Sequence, residues 1–332
     1  MTNELGPWGL DARAPAGARS DTSRVGRVVR VDRGECDVVT EAGTVRVLSD
    51  SLRAQGEVAP VTGDWVEIAE QEGLGPVIST ILERTTRVSR RDPAQRDLEQ
   101  VLATNVEVVG VVHGLDRPLP PGRLERMLVV AINSGAAPLV ILSKADAAVA
   151  GDESEAIVRS VCLDIPVVTT SIVDGTGLDE LVAHIGAGRT LALIGASGVG
   201  KSALVNALVG EQRLEVGPVR GVDSKGRHTT TARQLVLLPE GGGLVLDTPG
   251  IRSVGLWEAE HALDLVFGDL EQLATGCRFH DCVHRSEPGC AISAAVAAGA
   301  LDARRVDRYV ALVAELQSQR EREKRRSHRP RR

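Results

Sequence analysis

The sequence predicts a multidomain α/β protein in which a small β-barrel precedes a phosphate-binding domain and a helical, metal-binding domain. Three observations lead to this prediction. Short valine-rich runs separated by Gly and Asp turns occupy residues 24–83, strands alternate with helices over residues 101–255, and three of the five cysteines fall between Cys277 and Cys290. A chain of 332 residues is long enough for two or three domains, because domains usually hold about 100 to 200 residues.

Residues 1–23 are a Gly-, Pro- and Ala-rich leader that we predict to be disordered. The leader lacks the apolar core of a signal peptide, and no apolar run in the chain approaches the roughly 18 residues of a membrane span. We therefore expect a cytoplasmic protein without a membrane partner.

Charge is segregated along the chain. The formal net charge is −6, which argues against general binding to polyanions, yet residues 320–332 hold eight Lys/Arg against two Glu. A basic end on an acidic protein favours a localised contact with nucleic acid, and the alternative is a solvated tail.

The barrel prediction rests on short strands at regular spacing, at residues 25–31, 36–39, 45–48, 65–68 and 77–81. Five strands in about 60 residues suit an oligonucleotide-binding (OB) barrel, but the pattern does not separate it from an SH3-like barrel. The polar, Arg-rich residues 84–100 are predicted to form a linker.

Residues 101–255 predict a mainly parallel sheet with helices on both faces, because apolar strands alternate with helical stretches. We expect strands at residues 106–112, 138–142, 165–168 and 191–194, and helices at 124–133, 153–162 and 178–185. The last of these strands leads into a Gly-x-x-x-x-Gly-Lys-Ser loop. Such a loop turns its backbone N–H groups around phosphate oxygens.

The phosphate loop and the residue after it predict the nucleotide contacts Gly195, Ala196, Ser197, Gly198, Val199, Gly200, Lys201, Ser202 and Ala203. Lys201 would neutralise phosphate charge, and the Ser202 hydroxyl would ligate Mg²⁺.

Two later segments predict the rest of a γ-phosphate site. Asp247 ends an apolar strand and would reach Mg²⁺ through water, and Gly250 would offer its N–H to the γ-phosphate. In the stretch His228-Thr229-Thr230-Thr231, Thr230 is the expected ligand of Mg²⁺ and γ-phosphate, with Thr229 as the alternative.

A candidate guanine-reading segment, Ser143-Lys144-Ala145-Asp146, lies upstream of the phosphate loop rather than downstream of it. The Asp146 carboxylate can accept hydrogen bonds from the guanine N1–H and exocyclic amine, which excludes adenine. Ser171, after the next strand, can add contacts to the edge of the base.

The pattern Cys277-x₄-Cys282-x-His284-x₅-Cys290 offers three thiolates and an imidazole, the donor set of a closed structural zinc site. His280 is the competing imidazole, and a reduced cluster without metal is the alternative. Cys36 and Cys162 stand alone. A final helix over about residues 302–325 carries an apolar stripe that we expect to pack in the core.

The order of these segments resembles that of the circularly permuted GTPases: the guanine segment comes first, followed by the phosphate loop, Thr230, residues 247–250 and the cysteine cluster. Within them, the chain resembles the family of ribosome small-subunit-dependent GTPase A. The resemblance implies an OB barrel, a permuted GTPase domain and a zinc domain, with GTP or GDP, Mg²⁺ and one Zn²⁺ as bound groups.

The resemblance also implies an activity and a partner. Members hydrolyse GTP to GDP and phosphate, faster on the small ribosomal subunit than alone, and act late in the maturation of that subunit through contacts with rRNA. His228 inherits a role in hydrolysis beside Lys201 and Thr230. We expect a monomer.

Two residues depart from the family pattern, and a third departs from what is usual in GTPases. Ser143 replaces an Asn whose amide supports the base and the phosphate loop, and Ile172 stands where Ala is usual. In addition, Ile251 follows Gly250 where many GTPases place a water-orienting Gln, which predicts slow intrinsic turnover. Ser143 and Ile251 keep an alternative open, an RNA-binding assembly scaffold with a structural, slowly hydrolysing nucleotide site.

Overall fold

A computed structural model of the protein describes residues 5–10, 24–49, 58–91, 99–149, 153–161, 164–210, 234–247 and 259–327. Within these ranges, eleven strands form one continuous sheet, which closes into a barrel at one end and is mainly parallel at the other. The predicted combination of barrel and parallel sheet is confirmed.

The barrel consists of strands β1 (Arg24–Val31), β2 (Glu35–Thr40), β3 (Gly43–Leu48), β4 (Trp65–Gln71) and β5 (Gly75–Ile81). The strands follow the order β1-β2-β3-β5-β4, and β1 also pairs with β4, which closes the ring. A small apolar core fills it: Val28, Cys36, Val38, Val47, Val66, Ile68 and Ile78. A closed five-stranded barrel of this kind is OB-like.

Part of the leader is folded, so the prediction of a disordered segment over residues 1–23 is wrong for residues 5–10. Gly6–Trp8 is a 3₁₀ helix, and Leu5 is 1% exposed. The buried Arg27 of β1 donates to the Trp8 carbonyl, and also to the Asn105 carbonyl and the Thr190 hydroxyl at 2.8 and 2.9 Å. This guanidinium joins the leader, the barrel and the following domain.

The predicted linker is also wrong, because residues 84–100 contain strand pairing. Strand β6 (Arg87–Arg91) is antiparallel to β7 (Glu99–Thr104). Val88 and Leu102 are fully buried in this hairpin. In β6, Val88 is the only apolar residue among three arginines and a serine, so the period-two pattern that a strand requires is not visible in the sequence.

The second half of the sheet contains β8 (Val108–Gly114), β9 (Ala137–Ser143), β10 (Val167–Thr169), β11 (Thr190–Gly195), β12 (Gln234–Leu237) and β13 (Leu244–Asp247). The order is β10-β9-β8-β11-β13-β12, and only β12 runs antiparallel to its neighbour β13. Every residue of β8 and β11 is buried, as expected for central strands of a parallel sheet covered on both faces.

Helices α1 (Pro121–Asn133), α2 (Ser154–Val161), α3 (Leu178–Ile185) and α4 (Lys201–Val209) cover that sheet. Val109 and Val111 of β8 belong to the same apolar cluster as α1 and α2. Val108 and Val112 belong to the cluster that contains α3 and α4. Successive residues of a strand point to opposite faces, so the helices lie on both sides of the sheet, as predicted.

The barrel is joined to this sheet by β1, whose Arg30 pairs with Gln234 of β12. Strand β12 begins three residues after the predicted Thr230–Thr231 segment, which lies outside the described residues.

The C-terminal region is helical and consists of α5 (Glu260–Val266), α6 (Gly268–Ala274), α7 (Ala291–Ala297) and α8 (Ala303–Ser327). The predicted stripe on α8 is buried at Val306, Tyr309 and Leu316. None of the described helices combines the length and the apolar character needed to cross a bilayer.

Helix α8 is fastened to α1 by ion pairs around Glu125, whose side chain is fully buried. Arg308 donates to the two oxygens of Glu125 at 2.5 and 2.9 Å, and Arg305 lies 3.4 Å from one of them. Farther along, Arg126 forms a bidentate pair with Glu315, with both contacts at 2.8 Å. These contacts fix the C-terminal region to the domain that contains the parallel sheet.

We expect Glu125→Gln to lower the free energy of unfolding by about 2 to 3 kcal/mol, because it leaves two arginines facing a neutral group inside the protein. The matched variant is Glu315→Gln, which breaks a pair whose side chains are 30% and 36% exposed. It should cost less than about 1 kcal/mol. Urea denaturation of both variants checks this, and equal losses would contradict the special role of Glu125.

Candidate functional site

The candidate site lies at the carboxyl ends of the central parallel strands, where open α/β sheets bind ligands. The phosphate loop follows β11, the guanine segment follows β9, and Ser171 comes two residues after β10. Strand β8 lies between β9 and β11, so the strands that precede the two motifs are separated by one strand. Segments predicted from distant parts of the sequence therefore meet at one edge.

The phosphate loop has the backbone that its glycines permit. Gly195, Gly198 and Gly200 have φ values of 155°, 78° and 94°, which disfavour residues with a side chain. A Cβ at Gly195 would lie 2.6 Å from the Val112 carbonyl oxygen. Gly200 precedes the first turn of α4, so the helix N-terminus faces the loop, an arrangement suited to anions.

Lys201 lies against its own loop. Its Nζ donates to the carbonyl oxygens of Gly195 and Ala196 at 2.8 and 2.7 Å. This contact holds the ammonium beside the concave side of the loop, where phosphate oxygens would bind. The other predicted loop residues, Ser197, Gly198, Val199, Ser202 and Ala203, belong to the same turn and the start of α4.

Ser143 retains the connection to the phosphate loop that we expected its substitution for Asn to lose. Ser143 is 5% exposed. Its hydroxyl oxygen lies 2.6 Å from the Val199 carbonyl oxygen and 3.1 Å from the His113 carbonyl oxygen. The single hydroxyl proton can be donated to either carbonyl. A shorter side chain thus still links the guanine segment to the phosphate loop.

Lys144 makes a second link between the two motifs. It has a left-handed backbone, with φ of 60°, and its Nζ donates to the Gly198 carbonyl at 2.7 Å. The same ammonium lies 2.7 Å from a carboxylate oxygen of Asp116. Sequence reasoning missed Asp116, although its position just after β8 at the ligand-binding edge was a usable signal.

Asp146 and Ser171, each of which we expect to contact the base, lie together, since the Ser171 hydroxyl donates to Asp146 Oδ1 at 2.8 Å. The backbone supports this pair, because the Ala145 N–H donates to the Thr170 carbonyl at 3.1 Å. One oxygen of Asp146 is thereby oriented by a fixed donor. Ile172, at the departure noted in the sequence, is 47% exposed.

The γ-phosphate side of the site is only partly described. Asp247 is the last residue of β13, one step beyond the pairing of Leu246 with Ala192 of β11. Its backbone therefore approaches the phosphate loop edge of the sheet. His228, Thr230 and Gly250 lie outside the described residues.

The metal-ligating residues predicted in the C-terminal region form one cluster. The donor atoms of Cys277, Cys282, His284 and Cys290 all lie within 4.8 Å of one another. The Cys277 and Cys290 sulfurs are 3.9 Å apart, and His284 Nδ1 lies 3.7 and 3.6 Å from them. Tetrahedral zinc with ordinary bond lengths requires ~3.8 Å between sulfurs and ~3.5 Å between sulfur and nitrogen. The cluster fits zinc, and His280 is not part of it.

Backbone N–H groups support the sulfurs. The Ala291 N–H approaches Cys277 Sγ and the Ser293 N–H approaches Cys290 Sγ, both at 3.4 Å, at the first turn of α7. Such donors stabilise thiolates and orient ligands.

Glu287, which sequence reasoning did not single out, holds the loop between His284 and Cys290. Its carboxylate accepts from the N–H groups of Val283, Arg285 and Ser286 at 3.0 Å each. These bonds lower the pKa of Glu287 to about 2, and the bond from the Val283 N–H has the largest effect. The loop is thus ordered by a carboxylate that stays ionised.

Comparison with known proteins adds an independent result. The sequence model of the RsgA GTPase family matches residues 81–257. A protein of Streptomyces avermitilis named small ribosomal subunit biogenesis GTPase RsgA is 44% identical over 95% of this chain and 86% of its own length. A protein of the same name from Streptomyces coelicolor is 46% identical over 88% of this chain and 80% of its own.

Solved structures resemble the chain in fold. The crystal structure of YjeQ from Thermotoga maritima has a TM-score of 0.63 at 26% identity and covers 89% of this chain and 99% of its own. YloQ, described as a circularly permuted GTPase, has a TM-score of 0.62 at 22% identity, with coverage of 96% and 100%. The second likeness supports the fold alone.

We expect His284→Ala to abolish stoichiometric zinc binding, because the cluster then keeps only three donors. His280→Ala is the matched control, since His280 belongs to the same loop region but not to the cluster. Metal analysis of the purified proteins by plasma mass spectrometry checks this. Zinc retained by the His284 variant and lost by the His280 variant would reverse the assignment.

Proposed function

The chain belongs to the RsgA GTPase family and is a GTP hydrolase, and we propose that it acts in maturation of the small ribosomal subunit, which stimulates its hydrolysis of GTP. The subunit part of this proposal rests on the likeness to the proteins named small ribosomal subunit biogenesis GTPase RsgA, and the nucleotide part rests on the double link between the guanine segment and the phosphate loop. Ser143 reaches Val199 and Lys144 reaches Gly198, although the motifs stand in inverted order in the sequence. Base and phosphates of one nucleotide would be held by one connected unit.

In the proposed site, the backbone N–H groups from Gly195 to Ala203 bind the phosphates, and Lys201 moves its donors from carbonyl oxygens to phosphate oxygens. Asp146, oriented by Ser171, accepts from the guanine edge. Each carboxylate oxygen has two lone pairs, so the bond from Ser171 leaves both oxygens of Asp146 able to accept from the base. An adenine would present no matching pair of donors.

Mg²⁺, when bound, neutralises charge on the β- and γ-phosphates during transfer. Ser202, Thr230 and Asp247 are the residues proposed to hold it, directly or through water. The phosphate loop would hold the γ-phosphate, which is the group that the water attacks. His228 is proposed to assist in positioning that water. Ile251 cannot orient that water, because its side chain has no polar group. Activation by the subunit would supply what this residue lacks.

The zinc site is proposed to be structural. It has four protein donors, as closed structural sites do, and no open position for a substrate. Zinc would fix the loop from Cys277 to Cys290 onto helices α6 to α8. A metal in such a site contributes directly to the stability of its domain.

Contacts with rRNA are proposed for the basic C-terminal end rather than for the β1–β3 side of the barrel. On that side Arg46 is already paired with Asp32, Glu35 and Asp37 at 2.7, 2.9 and 2.7 Å. Arg30 pairs with Asp32 as well, at 3.2 Å, so the described arginines Arg30 and Arg46 are already neutralised by carboxylates and offer little positive charge to phosphates. Residues 320–332, by contrast, carry eight basic residues. A cytoplasmic monomer accords with this proposed partner.

We expect steady-state GTP hydrolysis to be slow for the protein alone and to rise at least about tenfold with purified small ribosomal subunits, less so at high salt. Large subunits serve as the control. Lys201→Ala should abolish both rates, because the variant lacks the cation of the phosphate loop. Tight binding of GTP without stimulation by small subunits would favour the scaffold alternative.

We expect Asp146→Asn to lose at least about tenfold in affinity for GDP and to gain affinity for xanthosine diphosphate, whose O2 replaces the exocyclic amine and requires a donor. Asp307→Asn is the matched control, because Asp307 is exposed on α8, outside the base-reading segments. Competition titrations with both nucleotides measure the change. Unaltered selectivity in the Asp146 variant would remove this residue from the base site.

A further inference from the structure

The loop after β8 places a carboxylate against the guanine segment. Asp116 Oδ2 lies 2.7 Å from Lys144 Nζ, and the Arg117 guanidinium donates to both Asp116 oxygens at 3.1 and 2.9 Å. Asp116 and Lys144 are 26% and 30% exposed in their side chains. Their pairing is therefore only partly screened by water.

The loop that carries Asp116 is itself built into the guanine segment. The Leu115 N–H donates to the Ser143 carbonyl at 2.8 Å, and the Leu115 carbonyl accepts from the Val149 N–H at 3.0 Å. These bonds run on both sides of Lys144 in the sequence. Asp116 is thus held at a fixed place relative to the residue whose charge it pairs.

Gly114 leaves the space that this pairing needs. A Cβ at Gly114 would lie 2.6 Å from Asp116 Oδ1 and 3.4 Å from Lys144 Cδ. The carboxylate and the lysine chain therefore pass over a residue without a side chain. The arrangement depends on the backbone of β8, which ends at Gly114.

Lys144 has two partners at its ammonium, the Asp116 carboxylate and the Gly198 carbonyl, both at 2.7 Å. Its side chain crosses from the base-reading loop to the phosphate loop. Without Asp116, the ammonium would keep one neutral partner and could turn towards water. The pKa of Asp116 is held well below its usual range by Arg117 and Lys144, so the carboxylate is ionised whenever the protein is folded near neutral pH.

We propose that Asp116 is a positioning residue of the guanine nucleotide site, which holds Lys144 between the base-reading loop and the phosphate loop before nucleotide binds. This inference deepens the proposed function and rests on it. Asp116 touches neither base nor phosphate in this arrangement, and it acts through Lys144. We expect Asp116 to affect nucleotide affinity. A lysine side chain that is already held in place loses less conformational entropy when the nucleotide binds.

The test is a double-mutant cycle between Asp116→Asn and Lys144→Met, read out as the Kd of a fluorescent GDP analogue. Methionine keeps a linear side chain but removes the ammonium. We expect Asp116→Asn to weaken binding about tenfold in the otherwise unchanged protein and less than about twofold in the Lys144→Met background. Equal losses in both backgrounds, or no loss in the first, would overturn the proposal.

Rescue provides a second measurement, which does not depend on the affinity of the Lys144→Met protein. Asp116→Glu keeps the charge and should restore binding to within about threefold of the unchanged protein, because the flexible lysine can follow a longer carboxylate. A Glu variant as weak as the Asn variant would show that the shape of the loop matters and not the charge, against the proposal. Single-turnover hydrolysis at saturating GTP should change less than about twofold in both variants.

Controls separate this inference from the proposed function. Glu155→Gln removes an exposed carboxylate from a pair with Arg159 on α2 and should leave the Kd unchanged. If the unchanged protein fails to bind guanine nucleotides, the proposed function fails. If the unchanged protein binds them and Asp116→Asn binds equally well, only the role of Asp116 fails.

Discussion

The proposed nucleotide site depends on the contacts that tie the segment after β9 to the loop after β11. Ser143 and Lys144 reach carbonyl oxygens of Val199 and Gly198, more than fifty residues away in the chain. The chain between the two loops is too long to fix the distance between them. The parallel pairing of both strands with β8 sets their spacing, and the two side chains set the final positions.

Much of the fold could be predicted because apolar periodicity marks strands and helices whose faces are buried. Helix α3 was predicted with its observed bounds, and the central strands β8 and β11 were placed to within two residues at each end. The leader and the β6–β7 hairpin were missed for a common reason. In both, a few buried apolar residues such as Leu5 and Val88 stand in a background of glycine, proline or arginine. Their burial depends on surfaces supplied by other parts of the chain.

The candidate site, like the fold, could be predicted only in part from the sequence. Motifs with fixed spacing, the phosphate loop and the cysteine cluster, could be read directly, because their chemistry requires neighbouring residues. Asp116 and Glu287 act through partners chosen by tertiary structure, and neither belongs to a motif of fixed spacing. Ser143 is the intermediate case. The sequence showed the loss of an amide, and only the three-dimensional arrangement shows that a hydroxyl reaches the same loop.

The buried Arg27 also bears on how the chain is made. Its partners Trp8, Asn105 and Thr190 span most of the first two hundred residues, so the last of them leaves the ribosome long after the barrel strands do. At synthesis rates of about 5 to 20 residues per second, the barrel would wait roughly 5 to 20 seconds with this guanidinium still hydrated. Strand β1 would likewise keep an open edge until residue 234 has emerged. The barrel is therefore the first part of this protein able to close and among the last to be completed.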